Sequence, residues 1–363
     1  MLSYRYLIPL FLLLFSQYVY GGSACNGHES LCSQPFNNVT FLVTHDSYAH
    51  GPNLASTQIK SITQQLDDGV RGLKFSAVMH KQKVHLCHTT CTILDAGPAT
   101  DILNHVSKWL ESHQDQIITI MWNNLYDIDV AHLAEAYKTS NIMPMVHVQE
   151  PGKPWPTLQE MVDSNKRVVN FVDSKADVSA APWIHDQYTY VFETPYDNKD
   201  ANGFTCVIDR PQSPPNPQDM MYVMNHFLYG VIHVGREIEV PQLDKASVTN
   251  GMDSLSKHVD DCHRAFGRKP NFVEVDFYDH GKALEFVAML NNISLDESTD
   301  TKQPGFPWPS NLPHINEIRS RLLPLPSVPH IVIANGSSSS RSSLRHISLL
   351  CTTLLSIIFI SFF

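Results

Sequence analysis

The stretch FLVTHDSYAH, residues 41–50, joins an apolar, β-branched run to an abrupt polar end. Strands that are covered on both faces are continuous apolar runs of this kind, so residues 41–43 favour a buried strand. The polar sequence Thr-His-Asp-Ser follows directly at residues 44–47. In parallel barrels the carboxyl ends of the strands carry the chemistry. The stretch therefore predicts a buried strand whose carboxyl end presents His45 and Asp46.

Other short runs of the same character follow along the chain, rich in β-branched or aromatic residues. The eight predicted strands are residues 39–44, 70–75, 84–87, 116–122, 167–172, 188–192, 220–227 and 271–277. Helical patterns lie between several of them, at residues 99–113, 130–138, 157–164 and 282–291. Strands alternating with helices in this way predict an α/β fold, a single-domain, TIM-like (β/α)8 barrel.

Four polar residues lie at the same end of their predicted strands. His45 and Asp46 follow the first strand, His88 follows the third, and Asp276 lies near the carboxyl end of the eighth. The first and eighth strands of a barrel are neighbours, so we expect Asp276 to reach His45. Two histidines with carboxylates in range suit paired acid–base catalysis. The chain has 19 His, so a single histidine at a strand end would mean little, and it is the agreement of all four positions that favours a catalytic site.

Residues 1–24 have the composition of a secretory signal peptide. One arginine precedes an apolar stretch at residues 6–15, and small residues lead up to Ala24. This order is typical of a cleaved signal peptide, and a retained signal anchor is the alternative. Cleavage near Ala24 would leave Cys25 close to the mature N-terminus.

The C-terminal residues match a GPI-attachment signal. Small residues at 335–337 are followed by a polar spacer and by an uncharged apolar tail from residue 347 to the end. This arrangement is typical of GPI attachment with removal of the tail, and an ordinary tail anchor is the alternative. We predict a barrel domain at 25–300, an extended tail at 301–335 and a propeptide at 336–363. The predicted lipidated residue is Asn335 or Gly336, and of the two we favour Asn335.

Cysteine usage agrees with an extracellular compartment. One of the seven Cys, Cys351, lies in the removable tail and leaves an even number. We favour local disulfides, although a zinc site in CHTTC (residues 87–91) is an alternative that would need two further ligands. The expected pairs are Cys25–Cys32, Cys87–Cys91 and Cys206–Cys262. Glycosylation sequons begin at Asn38, Asn292 and Asn335.

Several motifs resemble the phosphatidylinositol-specific phospholipase C superfamily, and most closely the secreted, GPI-anchored PLC-like phosphodiesterases of fungi. The resemblance covers nearly the whole predicted domain, and its most specific part is LCHTTCTILDAGP, residues 86–98. The other segments are THDSYA (44–49), QQLDDGVRGLKF (64–75), WPTLQEMV (155–162), VFETPYD (191–197), MNHFL (224–228) and PNFVEVDFYDHG (270–281).

The resemblance implies a somewhat distorted barrel and a role for each of the four residues. His45 would be the general base for the inositol 2-hydroxyl, and His88 the general acid for the diacylglycerol oxygen. Asp276 would orient His45, and Asp46 would support His88. The family reaction is an internal phosphoryl transfer that gives a cyclic phosphodiester, without a covalent enzyme intermediate.

The chain departs from the family pattern on the second strand. Calcium-dependent relatives have an Asn after the first catalytic His and an acidic pair on that strand, where this chain has Asp46, Lys74 and Ser76. A Ca²⁺ site needs six or more oxygens, so we predict no metal and no cofactor. Bacterial relatives place an Arg at the position of Ser76. Strand alternation puts Lys74 on the same face as Ser76, so Lys74 is expected to supply the charge, unless it is poorly placed.

The predicted substrate-binding residues are Lys74, Ser76, Asn123 at the end of the fourth strand, Glu193 at the end of the sixth and Asn225 at the end of the seventh. Glu193 is expected to accept hydrogen bonds from sugar hydroxyls, and its pairing with a nearby cation is the alternative. The lysine and arginine that bind inositol in bacterial relatives have no counterparts at the matching positions. The sequence therefore does not identify the lipid headgroup.

The sequence as a whole predicts an extracellular, metal-independent phosphoric diester hydrolase of phospholipase C type. The substrate would be a phospholipid or glycolipid at the cell surface or wall, where the GPI anchor holds the protein. A net charge of −10 without a basic run argues against nucleic acid as a partner. One alternative is a surface binding protein with weakened catalysis on the same barrel. Another, a metal-dependent glycerophosphodiesterase or sphingomyelinase D-like enzyme, would need acidic ligands where the second strand has Lys74 and Ser76.

Overall fold

The computed structural model of the protein describes residues 24–88, 90–233 and 237–293. The predicted signal peptide up to residue 23, the tail from residue 294 and the attachment signal with Asn335 lie outside the described residues. Within the described ranges, no helix is both long and apolar enough to cross a bilayer.

A curled sheet surrounded by helices forms the body of the molecule. The strands are β1 (Phe41–Thr44), β2 (Gly72–His80), β3 (Lys83–His88), β4 (Leu94–Pro98), β5 (Ile118–Asn123), β6 (Val168–Val172), β7 (His185–Asp186), β8 (Val191–Glu193), β9 (Met221–Asn225), β10 (Tyr229–His233), β11 (Glu237–Pro241) and β12 (Phe272–Val275). The helices are α1 (Glu29–Cys32), α2 (Ile62–Asp67), α3 (Ala99–Ser112), α4 (Val130–Lys138), α5 (Leu158–Asp163), α6 (Gln187–Tyr190), α7 (Leu243–Thr249), α8 (Met252–Phe266) and α9 (Ala283–Leu290).

Among the described residues, eight parallel strands follow one another around the sheet in the order β7-β6-β5-β2-β1-β12-β9-β8. In this part of the chain no ladder joins β7 to β8, so the barrel is open at that seam. The single-turn helix α6 leads directly from β7 to β8. The predicted α/β, TIM-like barrel is confirmed, and the open seam is its distortion.

Strand β1 lies between β12 and β2, so the residues that follow β1 are next to those at the ends of both neighbours. Phe41 is opposite Phe272, and Val43 is opposite Gly72. A Cβ added to Gly72 would lie 2.4 Å from Cγ2 of Val43. Glycine therefore permits the close approach of β2 to β1 that brings the second strand beside His45.

The interior of the barrel is apolar at one end and charged at the other. Phe171 of β6 and Phe272 of β12 are not on adjacent strands, yet their ring centroids lie 6.4 Å apart, so both side chains point inward. Because side chains alternate along a strand, residues two positions further along face the same interior. At the carboxyl end these positions are polar and buried, and they are Lys74, Ser76, Glu193, Asn225 and Glu274.

The predicted third strand is not part of the barrel, and this prediction was wrong. Strand β2 continues to His80 beyond the barrel and turns back, so β3 pairs antiparallel with β2 and with β4. The missing barrel strand is β7, whose two residues are too few to give a sequence pattern. The run at 188–192 also begins in helix α6 and becomes a strand from Val191.

The described part of the chain contains three disulfides, which are the pairs expected from the sequence. They are Cys25–Cys32, Cys87–Cys91 and Cys206–Cys262. The second disulfide joins Cys87, the neighbour of His88 on β3, to Cys91, and the third joins the loop after β8 to helix α8. Asn38 and Asn292, the predicted glycosylation positions, are both exposed.

Candidate active site

His45 and Asp276 meet at the carboxyl ends of two neighbouring strands. His45 follows β1 and Asp276 follows β12, and Nδ1 of His45 lies 2.9 Å from Oδ1 of Asp276. The imidazole also stacks on the ring of Phe227, with centroids 4.2 Å apart and planes 9° from parallel. Both histidine and carboxylate are buried, with 7% and 6% of their surface exposed. These contacts hold the His45 ring in one orientation.

Asp46 links the two histidines. Its Oδ2 lies 3.2 Å from Nε2 of His88 and 3.7 Å from Nε2 of His45. Its Oδ1 accepts a hydrogen bond of 2.7 Å from the hydroxyl of Ser76. The residue has a φ of 39°, a left-handed conformation that Asp tolerates better than most residues and that is found at functional sites. Asp276, His45, Asp46 and His88 thus form one continuous chain of side chains.

The partners of each ring nitrogen assign different roles to the two histidines. Nδ1 of His88 lies 2.6 Å from the carbonyl oxygen of Ala55, so it must carry a proton. Its Nε2 faces Oδ2 of Asp46 at 3.2 Å, in position to share a proton with the carboxylate, which is the geometry of a general acid. In His45 the carboxylate of Asp276 keeps a proton on Nδ1, and the lone pair of Nε2 is then available to accept one. These tautomers are assigned from the hydrogen-bond network.

The surroundings of His45 favour its charged form. Burial lowers the pKa of the imidazole, but the carboxylates of Asp276 and Asp46 together outweigh burial and raise the pKa to about 9. Burial also raises the pKa of the Asp276 carboxyl, an effect that the charge of His45 partly offsets. His45 must therefore lose a proton before it can act as a base, which makes activity pH-dependent.

A second cluster lies deeper in the barrel and is centred on Glu193, which has 0% of its surface exposed. Oε1 of Glu193 accepts hydrogen bonds from Lys74, at 3.2 Å, and from Gln187. Oε2 accepts from the guanidinium of Arg210 and lies 3.5 Å from Nδ2 of Asn225. A carboxylate offers about four lone-pair sites, so these four donors use its whole acceptor capacity.

The charges in this cluster stabilise one another. Burial raises the pKa of Glu193, but Arg210 and Lys74 outweigh it and lower the pKa to about 2. Burial lowers the pKa of Lys74, and Glu193 and Glu274 more than reverse this, so the lysine stays charged. Glu274 contributes through its Oε2, which lies 4.0 Å from the lysine nitrogen.

The structure brings most of the sequence-predicted residues into these two clusters. Lys74, Glu193 and Asn225 surround one another, and Ser76 contacts Asp46. Asn123 ends β5, where it is half-buried and opposite Ser76 in the ladder. The sequence assigned no role to two residues at this site. Phe227, which stacks on His45, lies in the motif MNHFL, but the motif does not indicate what it does. Arg210 lies in an irregular loop after β8 and belongs to no motif.

The carboxylates Asp46 and Glu193 are the acidic side chains at the site that already have several protein partners. Ca²⁺ takes six or more oxygens, largely from carboxylates. Both oxygens of Asp46 already have partners, and Glu193 accepts from four donors. Elsewhere among residues 24–88, 90–233 and 237–293, two groups of His, Cys and Asp side chains lie close enough together to bind an ion. Each contains cysteines that are oxidised to disulfides and so supply no thiolate, namely His85 with Cys87 and Asp95, and His258 with Cys206 and Cys262.

The chain was compared with known protein families and structures. The family model for PI-PLC X 1 matches residues 31–291 of the 363. A PI-PLC X domain-containing protein of Arthroderma benhamiae is 34% identical over 74% of this chain and 90% of the relative. An uncharacterized secreted protein of the same fungus is 30% identical over 74% of this chain and 64% of the relative. A PI-PLC X domain-containing protein of Arabidopsis thaliana is 26% identical over 78% of this chain and 69% of the relative.

Solved bacterial structures resemble the chain more distantly. A mutant of phosphatidylinositol-specific phospholipase C from Staphylococcus aureus has 14% identity and a TM-score of 0.48, covering 70% of this chain and 93% of the other. The corresponding enzyme of Listeria monocytogenes has 9% identity and a TM-score of 0.48, covering 72% of this chain and 97% of the other. The family match over residues 31–291 and the relative that is 34% identical show that this chain belongs to the PI-PLC X family.

Proposed function

We propose that the protein is a phosphoric diester hydrolase of phospholipase C type that cleaves a phospholipid or glycolipid by paired-histidine acid–base catalysis. The observation that carries this proposal is the continuous chain Asp276–His45–Asp46–His88 at the carboxyl end of the barrel. Once His45 has lost a proton, the chain places a proton acceptor and a proton donor on either side of a single carboxylate, as a reaction with one proton taken and one given requires.

The reaction follows from those positions. Nε2 of His45 takes the proton from a hydroxyl of the substrate, whose oxygen attacks the neighbouring phosphorus. The bond from phosphorus to the lipid oxygen breaks, and Nε2 of His88 donates its proton to that leaving oxygen. The products are a cyclic phosphodiester and a neutral lipid alcohol. Hydrolysis of the cyclic product would exchange the two roles, with His88 activating water and His45 protonating the departing oxygen.

The proposal needs neither a metal nor a covalent enzyme intermediate. The substrate supplies its own nucleophile, and Asp46 is engaged with Ser76 and His88. Positive charge near the phosphate comes from the cluster around Glu193. The proposed substrate-binding residues remain Lys74, Ser76, Asn123, Glu193 and Asn225, with Glu193 acting through the two cations that it holds.

An extracellular location is part of the same proposal. Disulfides persist in oxidising compartments, and one relative is named as a secreted protein. We propose that residues 1–24 are removed as a signal peptide and that the domain ends near residue 300. A GPI anchor at Asn335 would then hold the enzyme at the cell surface or wall, with glycans at Asn38 and Asn292.

Phosphorus NMR of phosphatidylinositol micelles treated with the purified protein in excess EDTA tests the reaction. We expect a cyclic inositol phosphodiester to appear first, with any acyclic phosphate ester following it. An acyclic product with no cyclic precursor would contradict the internal transfer, and activity abolished by EDTA would contradict metal independence. No product across a panel of phospholipids and glycolipids would favour a surface binding protein instead.

The pH dependence of kcat/KM should report the raised pKa of His45. The base is active only when neutral, so the ascending limb of kcat/KM is expected to extend to about pH 9. Asp276→Asn removes a negative charge beside the ring, which lowers the pKa and moves this limb to lower pH. Rates on a soluble substrate from about pH 5 to pH 10 measure both profiles. An unshifted limb in Asp276→Asn would show that another group titrates.

A further inference from the structure

The arginines of the described residues differ in how many hydrogen bonds they make. A guanidinium has five N–H donors on three nitrogens. Arg71 and Arg167 donate through all three nitrogens to oxygens of the protein, and Arg268 donates through both terminal nitrogens. Within the described ranges Arg210 donates through Nη2 alone, to Glu193. Its Nε is buried and, like Nε of Arg268, has no hydrogen-bond partner among these residues.

Arg210 is held firmly at the mouth of the barrel. The backbone N–H of Glu193 donates to the carbonyl of Arg210 at 2.8 Å, which fixes the loop against the carboxyl end of β8. The guanidinium carbon lies 4.2 Å from the ring centroid of Tyr196, a favourable cation–π distance. The unused donors of Arg210 therefore belong to an ordered side chain.

Two cations share Glu193, and solvent reaches them unequally. The side chain of Arg210 is 29% exposed, and that of Lys74 is 4% exposed. Lys74 is enclosed between Glu193 and Glu274. Arg210 is therefore the more accessible of the two cations that share Glu193.

The position of Arg210 relative to the catalytic chain follows from Glu274. This carboxylate precedes Asp276 by two residues along β12, so both side chains are on the same face of the strand. Glu274 interacts electrostatically with Lys74, His45 and Arg210. Arg210 and His45 are thus both within electrostatic range of one buried carboxylate at the carboxyl end of the barrel.

We infer that Arg210 contacts the substrate and binds anionic phosphate oxygens through the N–H donors of its terminal nitrogens that Glu193 leaves unused. A planar guanidinium suits phosphate because parallel N–H groups can bind two oxygens at once. The chain has Ser76 at the position where bacterial relatives have an arginine. Arg210, in the loop after β8, supplies an exposed positive charge instead. Glu193, whose acceptor capacity is used, orients Arg210 and Lys74. This inference rests on the proposed function.

Binding of inorganic phosphate tests the contact without turnover. In a His45→Ala background, Arg210→Gln should weaken phosphate binding about 10- to 100-fold, as expected for lost hydrogen bonds to a charged group. Arg210→Lys keeps the ion pair with Glu193 but loses the planar fork, so it should fold normally and still weaken binding. Arg264→Gln, on the exposed side of helix α8, is the control and should change nothing.

Kinetics in the otherwise unchanged protein separate the two sources of phosphate. A loss of kcat/KM that is equal for phosphatidylinositol and phosphatidylinositol 4-phosphate assigns Arg210 to the diester that is cleaved. A loss confined to the second substrate assigns it to the headgroup phosphate. Unchanged phosphate affinity and kcat/KM in both Arg210 variants, with His45→Ala inactive, would overturn the inference and leave the proposed function intact. No turnover by any protein, including the unmutated one, would instead refute the proposed function.

Discussion

Replacing His45 or His88 with alanine is expected to lower kcat/KM by about 10²- to 10⁴-fold in each case, the usual contribution of a positioned acid or base. His45→Ala removes the nitrogen that accepts the substrate proton, and His88→Ala removes the proton donor for the leaving oxygen. Initial rates on phosphatidylinositol micelles, with protein concentration corrected for folded fraction, measure the effect. The double mutant should lose little more than the worse single mutant, because residues that act as a unit are not additive.

His85 provides a matched control for both histidine variants. It lies on the same strand as His88 and, like His45, has its Nδ1 against a carboxylate, 2.9 Å from Oδ1 of Asp95. It is not part of the Asp276–His45–Asp46–His88 chain, so His85→Ala should leave kcat/KM within a few-fold of the unmutated protein. A His45 or His88 variant that retains the activity of His85→Ala would refute the paired-histidine mechanism.

Replacing Glu193 with glutamine is expected to destabilise the fold by about 3–5 kcal/mol, the typical effect of breaking a buried ion pair. Glutamine keeps the shape of the side chain but leaves Lys74 and Arg210 without their shared counter-charge inside the barrel. The midpoint and slope of urea unfolding, followed by circular dichroism, give the free energy of unfolding for each protein.

The control for Glu193 is an ion pair at the surface. Glu239 lies 2.9 Å from Lys199, and both side chains are about half exposed, so Glu239→Gln should change the free energy of unfolding by about 1 kcal/mol or less. Equal effects of the two substitutions would show that the buried cluster does not stabilise the fold.

The pH dependence of stability gives a second measure of Glu193. Its pKa falls from the ordinary 4.5 to about 2 on folding, because the two cations outweigh burial. A lowered pKa contributes stability that is complete above pH 4.5 and is lost as the pH falls towards 2. This acid-sensitive contribution should be missing from Glu193→Gln.

Local patterns determined much of the fold and of the catalytic chain. Continuous apolar runs mark strands that are buried on both faces, and seven of the eight predicted strands overlap barrel strands. The cysteines of two disulfides are close neighbours in sequence, which favours their pairing. His45, Asp46 and Asp276 could be placed together because each follows a strand, and because the ends of adjacent parallel strands meet.

Other features depended on contacts between residues that are remote along the chain. Residues 84–87 fold back on β2 because β2 extends beyond the barrel. The eighth position in the barrel is taken by the short strand β7, which pairs with β6. His88 is nevertheless brought to Asp46 by the β3–β4 hairpin. The role of a charged side chain is even less local, because it depends on which partners use its donors or acceptors. Sequence therefore determined which residues end the strands, while the tertiary structure decided that Glu193 is saturated and that Arg210, in a loop without a motif, keeps donors free at the barrel mouth.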